Sequence, residues 1–80
     1  MVNVIPSEEF KKAFSKIKHK EIQKQILSQI EKIGINPEIG KPMRYSRKGT
    51  REVHVKPYRL AYVYTDDTIF LLDIYHKNEQ

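Results

Sequence analysis

Two groups of residues in this 80-residue chain have the types and spacing to act on a charged ligand. The first runs from Lys41 to Arg59 and gathers Lys41, Arg44, Arg47, Lys48, Arg51, Lys56 and Arg59, opposed only by Glu52. Backbone phosphates demand such charge, and each one neutralised adds salt-sensitive affinity. A solvated basic surface is the plain alternative for a charge run. Alternation along two adjoining strands favours contact with nucleic acid or a ribosome, because it gathers His54, Lys56 and Arg59 onto one side. Arg59 lies within Tyr58-Arg59-Leu60-Ala61-Tyr62, on the strand face opposite the tyrosines. A guanidinium fixed there can clamp the charge that develops during phosphoryl transfer. The second group is the run Tyr75-His76-Lys77-Asn78-Glu79-Gln80. Histidine exchanges a proton near neutral pH, and lysine can stabilise a phosphorane or screen a leaving oxygen.

Other chemistries lack their residues. The chain has no cysteine, so it holds neither a disulfide framework nor a thiolate zinc site. Asp66-Asp67 falls in a turn without a matched histidine set, and Asp73 stands alone, so neither a metal nor any other cofactor is expected. No glycine-rich phosphate loop occurs, and Ser7, Ser15, Ser28 and Ser46 are in no nucleophile-elbow context. The net charge of +5 favours polyanionic partners. The longest apolar run, Ile69-Phe70-Leu71-Leu72, is far short of the ~20 residues a membrane helix needs, and the first residues do not read as a signal peptide. A cytoplasmic protein is expected.

The elements that must position these residues follow from periodicity. Val2, Val4 and Ile5 suggest a short first strand ended by Pro6. Ser7 is a candidate N-cap, with Glu8 and Glu9 at the positive end of the helix dipole. Phe10, Ala13, Phe14 and Ile17 form one apolar stripe; Ile22, Ile26, Leu27, Ile30 and Ile33 form another, about one residue out of phase. The phase break near Lys18-His19-Lys20 predicts two helices, over 7–18 and 20–33, with Gly34 closing the second. Residues 35–50 are punctuated by Pro37, Gly40, Pro42 and Gly49 and read as a basic loop. Three strands follow, over 51–56, 58–64 and 68–75, with Thr65-Asp66-Asp67 as hairpin turn chemistry. The last strand is the most apolar and is expected at the centre of the sheet. Tyr58, Leu60, Tyr62 and Tyr64 share a face, so those tyrosines are expected to pack on the helices rather than stack on bases, leaving Tyr45 and Tyr75 freer. The result is a single α+β domain over residues 1–80, β-α-α-β-β-β, with a helical hairpin on one face of a small antiparallel sheet and the other face open. A chain this short buries only ~60–65% of its unfolded surface, so a stabilising partner is expected.

Gly40-Lys41-Pro42-Met43-Arg44-Tyr45, Arg51-Glu52-Val53-His54-Val55, Tyr58-Arg59-Leu60-Ala61-Tyr62-Val63-Tyr64 and Asp73-Ile74-Tyr75-His76-Lys77 together resemble the RelE/ParE superfamily of type II toxin–antitoxin toxins, and most closely its RelE-like branch. The resemblance implies a metal-independent, ribosome-associated mRNA endoribonuclease in which a 2′-hydroxyl attacks the adjacent phosphate. It implies an acidic RelB-like antitoxin as partner, and mRNA on the ribosome as target. Arg59 matches the family's strand arginine; His76 and Lys77 match, within one residue of register, the basic position that ends the last strand. His54 and Lys56 fall where the family often carries basic residues. Glu52 stands where a basic residue is common in ribosome-dependent members, and Met43 where a close branch supplies a catalytic glutamate. The proton acceptor is then His76 or Glu79, or the substrate itself. The alternatives within the resemblance are a ParE-like, non-enzymatic inhibitor of DNA gyrase and an inactive antitoxin-binding relic.

Overall fold

A computed structural model describes residues 2–42 and 49–76. Their elements are β1 (Asn3–Pro6), α1 (Glu8–Lys16), α2 (Lys20–Ile35), β2 (Lys41–Pro42), β3 (Thr50–Val55), β4 (Tyr58–Thr65) and β5 (Thr68–His76). They form a five-stranded sheet in the order β1-β5-β4-β3-β2, with α1 packed on β5 and α2 on β3. The α+β architecture matches the sequence expectation, with three differences. The sheet is mostly antiparallel, because β1 runs parallel to β5. The middle strand is β4, and β5 lies between it and β1. Lys41 and Pro42, read as loop, pair with Arg51 and Glu52 as a fifth strand.

The phase break in the apolar stripes marks the helix boundary. Helix α1 stops at Lys16, and Ile17 turns to extended backbone while its side chain stays buried. Helix α2 runs two residues beyond expectation, through Gly34, and ends at Asn36. Gly34 is therefore a helix residue, not the cap; its N-terminal neighbour Ile33 is fully buried, and that packing outweighs the ~1 kcal/mol helical cost of glycine. The chain then folds back, with Glu38 N–H donating to Asn36 Oδ1.

Ser7 caps α1 by accepting from Phe10 N–H at 3.0 Å, a contact typically contributing ~1 kcal/mol. Its hydroxyl also donates to the Leu72 carbonyl at 2.7 Å, where β5 carries an extra residue. That bulge has consequences for the whole strand. Ala61 pairs with Asp73 but Tyr62 with Leu71, so Leu72 has no opposite number on β4. Ile69 and Leu71 point into the core before the bulge, and Ile74 does so after it. Strict alternation would have sent Asp73 and Tyr75 inward; the bulge turns both outward.

The core joins Phe10, Ile17, Ile26 and Ile33 from the helical side to Val53, Val55, Leu60, Tyr62, Ile69, Leu71 and Ile74 from the sheet. Tyr58 and Tyr64 are half-buried against it, so the tyrosine face packs on the helices as expected. Thr65 and Thr68 close the β4–β5 hairpin around Asp66 and Asp67 at φ 51° and 56°, the left-handed pair a two-residue hairpin turn requires.

Tyr62 is the polar pin of this core. Its hydroxyl is fully enclosed, donates to the Pro37 carbonyl at 2.7 Å and accepts from Gly40 N–H at 2.9 Å. Burial pushes the phenol above its ordinary value of 10.0, against the opposing pull of the Gly40 N–H and the Arg51 charge. A proton held more firmly in the folded chain than in the unfolded one stabilises the fold below the unfolded pKa. That contribution fades as pH rises past 10.0 toward the folded value. Tyr62→Phe is expected to remove this part of the alkaline loss of stability; urea unfolding of both proteins between about pH 8 and 11 measures it. Parallel stability–pH curves for the two proteins would refute the assignment.

Candidate functional site

The face of the sheet turned away from the helices carries the polar cluster. His54 of β3 pairs with Arg59 of β4, which pairs with Tyr75 of β5, so the three side chains stand on one rung and one face. The next rung on that face is Glu52, Ala61 and Asp73. Lys41 pairs with Glu52 from the edge.

Glu52 is the hub. Arg59 Nη1 donates to its Oε1 at 3.1 Å and the Tyr75 hydroxyl to its Oε2 at 2.8 Å. His54 Nε2 lies 3.7 Å from Oε1. The Glu52 side chain is only 12% exposed, against 27% for Arg59 and 52% for His54. Asp73 turns its carboxylate to the backbone, accepting from Ile74 N–H at 2.8 Å, which ties down the strand just beyond the bulge.

The site residues expected from sequence divide into five sets. Arg59 and His54 come together on the open face. Lys41 and Lys56 are exposed, at the sheet edge and in the turn that holds the cis Lys56–Pro57 bond. Arg51 is elsewhere: it pairs with Tyr62, and its Nη1 donates to the carbonyls of Glu38 at 3.1 Å and Gly40 at 2.8 Å. Its charge is spent tying the α2–β2 turn to β3. His76 sits across the sheet from Arg59, edge-on to the Tyr58 ring at 5.8 Å and beside Lys12 and Lys16 of α1. Arg44, Arg47, Lys48 and Lys77 lie outside the described residues.

The centre of the open face is therefore less basic than the sequence suggested, because Glu52 and Asp73 stand among Arg59 and His54. Sequence reasoning missed Glu52 as a participant and Tyr75 as the partner of Arg59. Simple alternation could have paired Glu52 with Arg59, since both face away from the core. Nothing in the sequence announces the Leu72 bulge that delivers Tyr75. Among the described residues, no three His, Asp or Glu side chains cluster as a metal site would need.

What this arrangement can do is hold an oxyanion by a forked cation and a hydroxyl, with an imidazole alongside. The description ParE toxin of type II toxin–antitoxin system, parDE, matches residues 4–80. The chain belongs to this toxin family. Its fold is similar to that of the toxin–antitoxin complex RelBE2 from Mycobacterium tuberculosis, with a TM-score of 0.82 and 22% identity over 95% of this chain and 98% of that one. The intact RelBE toxin–antitoxin complex of E. coli matches with a TM-score of 0.82 and 17% identity over 100% of both chains. YafQ from E. coli strain BL21(DE3) matches with a TM-score of 0.73 and 21% identity over 98% of this chain and 96% of that one. A search of curated proteins gave no significant match. Among the described residues no helix of this ParE-family toxin is long and apolar enough to cross a membrane.

Proposed function

We propose that this toxin is a metal-independent endoribonuclease that cuts mRNA on the ribosome and is held silent by an acidic antitoxin. The observation that carries the reading is the rung of His54, Arg59 and Tyr75 on the sheet face turned away from α1 and α2, the two helices among the described residues. In the proposed reaction the RNA 2′-oxygen bonds to phosphorus and the bond to the 5′-oxygen breaks. A 2′,3′-cyclic phosphate and a free 5′-hydroxyl result. Arg59 stabilises the charge that builds on the non-bridging oxygens, and Tyr75 donates a hydrogen bond beside it. The 2′-hydroxyl proton leaves to a base, and a proton reaches the departing oxygen. His54 is the better proton carrier than His76, because His54 shares the rung with Arg59 whereas His76 faces α1. Lys41, Lys56 and the basic residues 44, 47, 48 and 77 supply salt-dependent grip on the RNA backbone. The net charge of +5 suits an acidic antitoxin that folds as it binds, in a cytoplasmic setting.

A second reading is inhibition of DNA gyrase without catalysis, favoured by the match to the ParE description itself. Induced expression separates the two. The ribonuclease reading expects growth arrest with discrete cuts in translated mRNA, mapped by primer extension, and intact chromosomal DNA. Accumulating double-strand breaks with intact mRNA would overturn it in favour of gyrase inhibition.

A further inference from the structure

An ordinary surface glutamate on a solvent-facing sheet keeps its carboxylate in water; that of Glu52 is drawn down among three other side chains. Its two oxygens are both used, Oε1 by the Arg59 guanidinium and Oε2 by the Tyr75 hydroxyl. Two terminal oxygens sharing one negative charge are also what a phosphodiester presents to its binding site, and donors from two strands are what would receive it. Ala61, the cross-strand neighbour of Glu52, has only a methyl group and leaves room for a side chain to lie along the sheet. An incoming phosphate near Arg59 would meet the Glu52 charge a few ångströms away. Two like charges at 4 Å repel by about 1 kcal/mol in water and about 4 kcal/mol at the effective dielectric of a protein surface. Glu52 and a bound phosphate therefore compete for the same donors.

We propose that Glu52 is an internal competitor for the phosphate seat: its carboxylate holds Arg59 and Tyr75 while the site is empty and yields them when a phosphate group arrives. The inference rests on Arg59 being the phosphate clamp of the proposed function, and adds that the chain carries its own brake on that clamp. The carboxylate keeps the guanidinium and hydroxyl ordered between ligands and lowers the affinity for isolated phosphates. Only a ligand with further contacts, such as an RNA strand lying along Lys41 and Lys56, displaces it readily.

The test compares the native protein, Glu52→Gln, Arg59→Ala and the double variant. The probes are inorganic phosphate and a short 2′-O-methyl RNA that cannot be cut, titrated by NMR after each variant's fold is checked by its amide spectrum. Glu52→Gln keeps the size and one acceptor oxygen but removes the charge. It is expected to bind both probes about tenfold more tightly, the size of one charge-assisted hydrogen bond no longer contested. Arg59→Ala is expected to abolish binding of phosphate, and the double variant to show no gain. In the native protein, saturating phosphate is expected to shift the Glu52 carboxyl carbon resonance, a readout that requires no substitution. Equal or weaker binding by Glu52→Gln, or a Glu52 resonance that phosphate leaves unmoved, would overturn the proposal. RNA cleavage lost in Arg59→Ala together with unchanged phosphate binding by Glu52→Gln sinks the brake alone. Tighter phosphate binding by Glu52→Gln in a protein that never cuts RNA supports the brake and removes the ribonuclease reading.

Discussion

Arg59→Ala is expected to abolish growth arrest and mRNA cleavage while leaving a folded protein. The guanidinium is the one strong cation that the described residues place at the centre of the open face, and β4, the middle strand, fixes its position. Loss of a preorganised donor to a developing oxyanion costs on the order of 10²–10³ in rate, enough to restore colony formation under induction. Stability is expected to change by only about 1 kcal/mol, because the Arg59–Glu52 pair is partly solvated and the Tyr75 hydroxyl still satisfies Glu52. Arg59→Lys is the informative companion. It keeps the charge but not the planar fork, and is expected to recover only a small part of the activity. Cleavage assayed by primer extension and a thermal melt decide the matter together. Full toxicity in Arg59→Ala would show that the open face is not the working surface. A collapsed melt would show that Arg59 is structural.

The elements of this fold were largely legible because each rests on a local signal. The one-residue slip between the stripes of Phe10–Ile17 and Ile22–Ile33 separates two helices, and Ser7 caps the first in both the pattern and the structure. The alternation through Tyr58–Tyr64 gives β4 its buried and open faces, and hence the exposure of Arg59. The features that escaped depend on partners distant in sequence. Whether β1 runs parallel or antiparallel to β5 is set by chain direction after two helices, which no periodicity encodes. At the Leu72 bulge the carbonyl accepts a hydrogen bond from Ser7, 65 residues away. The bulge exchanges Tyr75 for Ile74 opposite Arg59, and so decides which side chain stands beside the guanidinium. Arg51 shows the same dependence on distant partners. Counted among phosphate ligands by composition, it pairs with Tyr62 and is consumed by two backbone carbonyls.

The position that binds fold to site most tightly is Gly40, and Gly40→Ala is expected to be among the most damaging small substitutions in the chain. A Cβ there would stand 2.7 Å from the Tyr62 hydroxyl oxygen, 2.8 Å from its Cε1 and 3.0 Å from the Glu52 carbonyl oxygen. None of these atoms can yield freely. Tyr62 is fully buried and bonded to Pro37, and the Glu52 carbonyl belongs to β3. Either the turn withdraws, breaking Gly40 N–H to Tyr62 and Arg51 to the Gly40 carbonyl, or the ring rotates away from Pro37. Overpacking costs about 1–3 kcal/mol and a stranded buried hydrogen bond about 1–3 kcal/mol more. A domain of this size has a total stability of roughly 4–12 kcal/mol, so a fall in melting temperature of about 10–20 °C is expected. Tyr62→Phe removes the nearest clashing atom. In that background Gly40→Ala is expected to cost clearly less than it does alone, a coupling that a double-mutant cycle reads directly. A melting temperature for Gly40→Ala within about 2 °C of the native value would show that the turn absorbs the methyl group. The same displacement would move the backbone of Glu52, so Gly40→Ala is also expected to disturb the Arg59–Glu52–Tyr75 cluster, visible as shifted Tyr75 ring resonances at temperatures where the variant is still folded.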